Sequence, residues 1–289
     1  MDQERMNECG KIIDSLIQEN VDEGSYKWLR EKVLLAAEEK GSAALQLAFA
    51  AIPRKIGRKP VRMNVADEEK ISKTCDGLRC RSWSLDMLGR LLLILHLDVS
   101  DKSAYVARIE LLFRDAEMHE LVALYSFLPF FTYPEAWQLR TAEGVRSNIG
   151  LVLEAIMYDN PYPSKYLPEA AWNQLVLKAF FTDKDVLRII GLDQRRNKQL
   201  AGILVDYAHE RWAAGRNVNP LLWRLVAPFL DEKNFPDIKK LFENGDEREK
   251  RAAALACYYS NYKPAKSLLE DAPAVNKSIE ENELHWGMI

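Results

Sequence analysis

Excess positive charge, long apolar runs, a cysteine framework and the standard catalytic signatures are all missing from this 289-residue chain. Each absence weighs against a class of function. Forty basic and 43 acidic residues leave a formal net charge of −3, so no global positive field draws in a polyanion, and nucleic acid is not an expected partner. The longest apolar candidate, Leu91 to Leu97, falls far short of the roughly 18 residues of a membrane span. The start, MDQERMNECG, has neither a basic n-region nor an apolar h-region, so no signal peptide is expected. Four cysteines (Cys9, Cys75, Cys80 and Cys257) are too sparse for a disulfide framework and suit a reducing cytoplasm. Cys75 and Cys80 enclose DGLR with no second Cys or His pair nearby. Structural zinc takes four ligands, so neither a metal nor a cofactor is expected. No G-x-G-x-x-G, P-loop, H-E-x-x-H, G-x-S-x-G or pair of Asp-rich motifs occurs, which weakens every enzyme reading without excluding one.

What the chain does have is helical periodicity. Apolar residues recur at three and four positions almost throughout, and no segment alternates in the manner of a strand. The pattern predicts an all-α fold with helices near 3–19, 25–38, 42–52, 84–97, 102–114, 117–130, 134–158, 168–181, 198–214, 220–230, 233–243, 247–259, 263–270 and 277–285. LFRDAE at 112–117 matches LFENGD at 241–246, and LLED follows at 268–271. Such near-repeats predict stacked antiparallel helix pairs of the HEAT or armadillo kind, an α-α superhelix. The stretch 54–76 breaks the pattern, with Arg54, Lys55, Arg58, Lys59 and Arg62 ahead of Asp67, Glu68 and Glu69. It divides the chain into 1–76, a helical segment with a basic loop, and 77–289, a helical-repeat region. The loop is either a solvated one or a contact for phosphate or an anionic membrane face.

The most unusual stretch is DNPYPSKYLPEAAWNQ at 159–174, a proline-stiffened loop running into a helix. Advancing about 100° per residue from Trp172 leaves only a narrow polar sector at Gln174 and Lys178, so this helix is expected to be buried on most sides. Asn173 falls inside the apolar sector, where an unpartnered amide costs about 1–3 kcal/mol. It therefore either fastens its own loop through the carbonyls around Pro161, Pro163 and Pro168, or faces a ligand. On the helix expected at 134–158, Glu143, Ser147, Gly150 and Glu154 share a face, with Arg140 and Arg146 three residues either side of Glu143. A glycine within that helix suggests close approach by a backbone or ligand. This polar face is either an Arg–Glu network or the floor of a pocket.

The third cluster is VDYAHERWAAGR at 205–216, where Asp206, His209 and Glu210 stand at i, i+3 and i+4. A carboxylate beside a histidine is half of many acid–base sites, and the same trio is also an ordinary charged helix face. In GLDQRRN at 191–197, Asn197 is placed to cap the next helix, and the arginines are placed to pair or to bind an anion.

NPYP at 160–163, AWNQLVLKAFF at 171–181, RIIGLD at 188–193, DYAHERWAAGR at 206–216, LWRLVAPF at 222–229 and RAAALA at 251–256 occur in that order, and together the chain resembles the EboA family. The resemblance is strongest over about 130–260. It implies a bacterial protein encoded beside a UbiA-type prenyltransferase and a TatD-type hydrolase in a cluster associated with secondary-metabolite traffic. It carries no catalytic residues with it.

Residues and resemblance together give an expectation of a cytoplasmic, non-catalytic binding or adaptor protein for an aromatic or isoprenoid-type metabolite, other proteins of the ebo cluster being further partners. Its candidate ligand-binding residues are Arg140, Glu143, Arg146, Glu154, Tyr162, Trp172, Asn173, Asp206, His209 and Glu210. The alternative is a cofactor-independent isomerase or cyclase working through Glu154 or the Asp206–His209 pair, with Arg146 for an anion.

Overall fold

The computed structural model describes residues 3–38, 43–61, 63–74 and 83–289. Arg62, Cys75 and Cys80 lie outside the described residues. The fold is all-helical, with no strand among the described residues. The helices are α1 (Gln3–Asn20), α2 (Glu23–Glu38), α3 (Ala43–Ile56), α4 (Val65–Thr74), α5 (Leu85–Leu95), α6 (Lys102–Asp115), α7 (Met118–Ser126), α8 (Gln138–Arg146), α9 (Gly150–Met157), α10 (Tyr162–Tyr166), α11 (Glu169–Phe181), α12 (Lys198–Ala213), α13 (Trp223–Val226), α14 (Phe235–Asn244), α15 (Glu247–Tyr259), α16 (Lys263–Glu270) and α17 (Pro273–Glu280). They form two compact units, Met1–Pro168 and Glu169–Ile289.

In the first unit α5 is the centre, and α1, α2 and α3 pack on it. Every residue of α5 except Met87 is buried, as expected of a helix that is apolar nearly all round. Its two charged residues neutralise each other there: Arg90 donates to Asp86 at 2.7 Å and to the Phe49 carbonyl at 3.2 Å. Farther along, α7 and α8 pack on α9. In the second unit the centre is α15, with α13, α14, α16 and α17 against it. The run Ala252–Cys257 is wholly buried, and its small side chains allow neighbours on several sides. A capping box starts this helix, in which Asp246 accepts from the Glu249 N–H at 2.9 Å and Glu249 accepts from the Asp246 N–H at 2.9 Å.

Three of the departures from the expected boundaries change the kind of element formed. The helix expected over 134–158 is two helices joined through extended backbone at Ser147 and Ile149. The Ser147 hydroxyl accepts from the Ile149 N–H at 3.1 Å, a local bond that competes with continuing the helix. Glu143, Ser147, Gly150 and Glu154 therefore do not lie on one helix face. Gly150 is the first residue of α9, and a close approach is seen at Gly144 on α8. A Cβ there would sit 2.5 Å from Tyr125 Cζ and 2.7 Å from Ile156 Cδ1. Within 54–76, read as a charged loop, residues 65–74 are helical and bury Ile71. The Asn64 carboxamide starts that helix by accepting from the Asp67 N–H at 2.9 Å. Over 220–230 only Trp223–Val226 is α-helical, between 3-10 turns at Pro220–Leu222 and Ala227–Phe229. Pro228 lacks the N–H that a continuing helix would need.

Candidate functional site

The corner at 159–168 is built by a side chain that the sequence reading passed over. Asp159 takes the left-handed conformation (φ 53°), and the next residue, buried Asn160, ties the turn down on three sides. Its Nδ2 donates to the Tyr125 carbonyl at 3.1 Å and the Ala155 carbonyl at 3.0 Å, and its Oδ1 accepts from the Tyr162 N–H at 3.0 Å. An Asn preceding a proline is a local turn signal that points to such a role. Tyr162 is fully buried, its hydroxyl donating to the Pro134 carbonyl at 2.5 Å. Burial pushes its phenol well above the ordinary tyrosine range.

Two polar residues of α8, Arg140 and Glu143, form a local pair. Arg140 bridges Glu110 on α6 and Glu143, the latter at 3.0 Å, with its guanidinium 5.3 Å from the centre of the Phe113 ring. The Glu110 hydrogen bond raises the Arg140 pKa, with burial opposing it. Arg146 is exposed at the end of α8, and Glu154 is half-buried on α9.

In the second unit, α11 and α12 pack on each other, and an amide pair joins their starts. Asn197 Nδ2 donates to Asn173 Oδ1 at 2.9 Å, and Asn173 Nδ2 returns a 3.3 Å bond to Asn197 Oδ1. The same Asn197 oxygen accepts the Leu200 N–H at 2.8 Å and so caps α12. The partner of Asn173 is thus a side chain 24 positions on, rather than loop backbone. Trp172 is fully buried, and its Nε1 has no hydrogen-bond partner among the described residues. Arg195 sits 5.1 Å from the centre of its ring. Burial lowers the Arg195 pKa, and the charge of Glu169 opposes that shift.

Asp206, His209 and Glu210 occupy one side of α12 and divide between two neighbours. His209 Nε2 meets Asp237 Oδ2 of α14 at 2.8 Å, with the Trp212 ring 5.8 Å away. Asp206 and Glu210 instead line an open groove of about 390 Å³ between α11 and α12. The groove has an apolar surface from Leu177, Phe181, Ile203 and Tyr207, and Lys178 is the cation opposite the two acids. Phe181 is 64% exposed, an unusual state for so large an apolar side chain. Tyr207 is held in place by its hydroxyl, which donates to the Phe180 carbonyl at 3.2 Å. A groove of this composition can take an apolar or aromatic body, and its one excess negative charge favours a neutral or cationic ligand over an anion.

No group of three His, Cys, Asp or Glu side chains among the described residues could hold a metal ion. No described helix is long and apolar enough to cross a membrane. A family model described as "Metabolite traffic protein EboA" matches residues 9–227. No curated protein and no solved structure matches the chain.

Proposed function

The chain belongs to the EboA family of metabolite traffic proteins, and from that membership we propose that it is a non-catalytic binding or adaptor protein serving the biosynthesis or traffic of a secondary metabolite. The metabolite is aromatic or isoprenoid-like and lies in the α11–α12 groove, with its apolar part against Phe181, Ile203 and Leu177. The observation that carries this reading is the groove itself, where exposed apolar surface stands beside the Asp206 and Glu210 carboxylates. A non-catalytic role is supported by the way the polar candidates divide. Arg140 and Glu143 pair with each other, and Asn173 with Asn197. A HEAT-like stacking of helix pairs belongs to the same proposal, as do a cytoplasmic setting, other ebo-cluster proteins as partners and peripheral contact with a membrane.

Thermal stabilisation tests it. In a panel of aromatic and isoprenoid compounds, a true ligand at 100 times its dissociation constant adds about 2.7 kcal/mol. The shift should be lost in Ile203→Asp. If no compound in the panel stabilises the protein, the binding reading fails.

One observation favours the enzyme alternative, namely the 2.8 Å contact between Asp237 and His209. A carboxylate so placed orients an imidazole for proton transfer. Turnover of a panel compound that disappears in His209→Gln, with binding intact, would move the reading to a cofactor-independent isomerase or cyclase.

A further inference from the structure

A separate open cavity of about 590 Å³ lies within the Glu169–Ile289 unit, and its two walls differ in chemistry. One wall, inside the span matched by the family model, carries Asp193, Arg196 and Arg224. Arg224 grips Asp193 with two bonds, Nε to Oδ1 at 3.0 Å and Nη2 to Oδ2 at 2.5 Å. Arg196 Nη1 approaches the same Oδ1 at 3.6 Å, and its Nε donates to the Asp193 carbonyl at 2.9 Å. Two guanidiniums thus share one carboxylate and leave one positive charge in excess. Among the described residues their hydrogen bonds all go to Asp193, so Nη1 of Arg224 and Nη2 of Arg196 remain available as donors.

The other wall comes from beyond residue 227 and is aromatic. Tyr259, at the end of α15, and Trp286 present rings 29° from parallel with centroids 6.5 Å apart. Tyr259 is 48% exposed. His285, also in the lining, accepts the Gly287 N–H on Nδ1 at 3.1 Å. That bond puts the proton of its neutral ring on Nε2, a third donor.

We propose that this cavity binds a planar aromatic carboxylate, with the carboxylate on Arg196 and Arg224 and the ring against Tyr259 and Trp286. Guanidinium matches a carboxylate in plane and charge, and flat rings stack on flat rings. The site is independent of the α11–α12 groove, whose excess charge has the opposite sign. The C-terminal segment beyond the family span would then set which ring is accepted, while the arginine wall sets the charge.

Calorimetric titration of the full chain with indole-3-carboxylate tests this, with indole and cyclohexanecarboxylate as probes lacking the anion and the aromatic ring. The expected result is one saturable site per chain that weakens as salt is raised. Because each missing contact removes a charged hydrogen bond or a stacked face, binding should fall about tenfold for either truncated probe, for Arg196→Gln and for Tyr259→Ala. Arg196→Gln leaves the Arg224–Asp193 pair in place, so it should keep the parent melting curve. The proposal is overturned by an absence of saturable heat at millimolar indole-3-carboxylate, or by binding that neither substitution weakens. Failure here leaves the groove reading untouched, because that reading is scored by the stabilisation lost in Ile203→Asp, and Ile203 lines the groove and not this site.

Discussion

Arg90 has only 2% of its surface exposed, yet it carries a full charge in the centre of the first unit. Burial lowers its pKa, and the charges of Asp86 and Glu120 counter that shift. Arg90→Met is expected to cost about 3–5 kcal/mol in chemical denaturation, because it leaves the buried Asp86 carboxylate uncompensated. The double replacement Asp86→Leu with Arg90→Met should recover most of that loss, since a buried pair contributes little beyond its apolar equivalent. Asn173 obeys the same logic with neutral groups. Asn173→Ala removes one half of the amide pair with Asn197 and should destabilise by about 1–3 kcal/mol. A double-mutant cycle with Asn197→Ala should give a coupling of at least about 0.5 kcal/mol, and a coupling near zero would show that the two amides act separately.

At the scale of elements, α7, α8 and α9 meet where Gly144 lets Tyr125 and Ile156 close in. Gly144→Ala gains helix propensity of about 1 kcal/mol but drives a methyl into the Tyr125 ring, at an overpacking cost of about 1–3 kcal/mol. A lowered melting temperature is expected, and a raised one would mean that the tyrosine yields freely. Most helices of the fold were legible in the sequence because each carries an apolar stripe at helical spacing, and α6, α15 and α16 lie within a residue of their expected bounds. The break between α8 and α9 was not legible. Val145, Val152 and Ile156 continue an apparently regular stripe through it, and the Ser147 turn that interrupts it depends on one hydroxyl–amide bond. The helix α4 was hidden by its charge, since a ten-residue segment that buries little more than Ile71 and Thr74 resembles a solvated loop. At the candidate site, sequence placed Asn173 in an apolar sector and Asn197 at a helix start, but not the contact between them. Nor could it show that His209 turns to Asp237, because helical spacing brings up neighbours on the same helix and is blind to a carboxylate 28 residues away.

Across the whole molecule, one buried thiol and three buried phenols set a one-sided response to alkaline pH. Burial pushes the Cys257 thiol up to about 12, and the Tyr105 and Tyr125 phenols also to about 12, while Tyr162 shifts in the same direction. In each case the folded state holds its proton more tightly than the unfolded chain, whose thiols and phenols ionise near their ordinary values of about 8.5 and 10. Their contribution to stability is therefore fully present below about pH 8.5 and is lost as pH rises toward 12. Urea midpoints should be nearly flat with respect to these groups from pH 7 to about 8.5 and then fall with a steepening slope as thiol and then phenol ionisation join. Cys257→Ala isolates the first part of that fall, because a buried Cys acts as a small apolar residue and alanine removes its titration while leaving the tyrosines. The variant's midpoint curve should stay flat about one pH unit further before descending. If parent and variant descend together, the alkaline loss belongs to the phenols and surface lysines, and the buried thiol of α15 does not couple to folding.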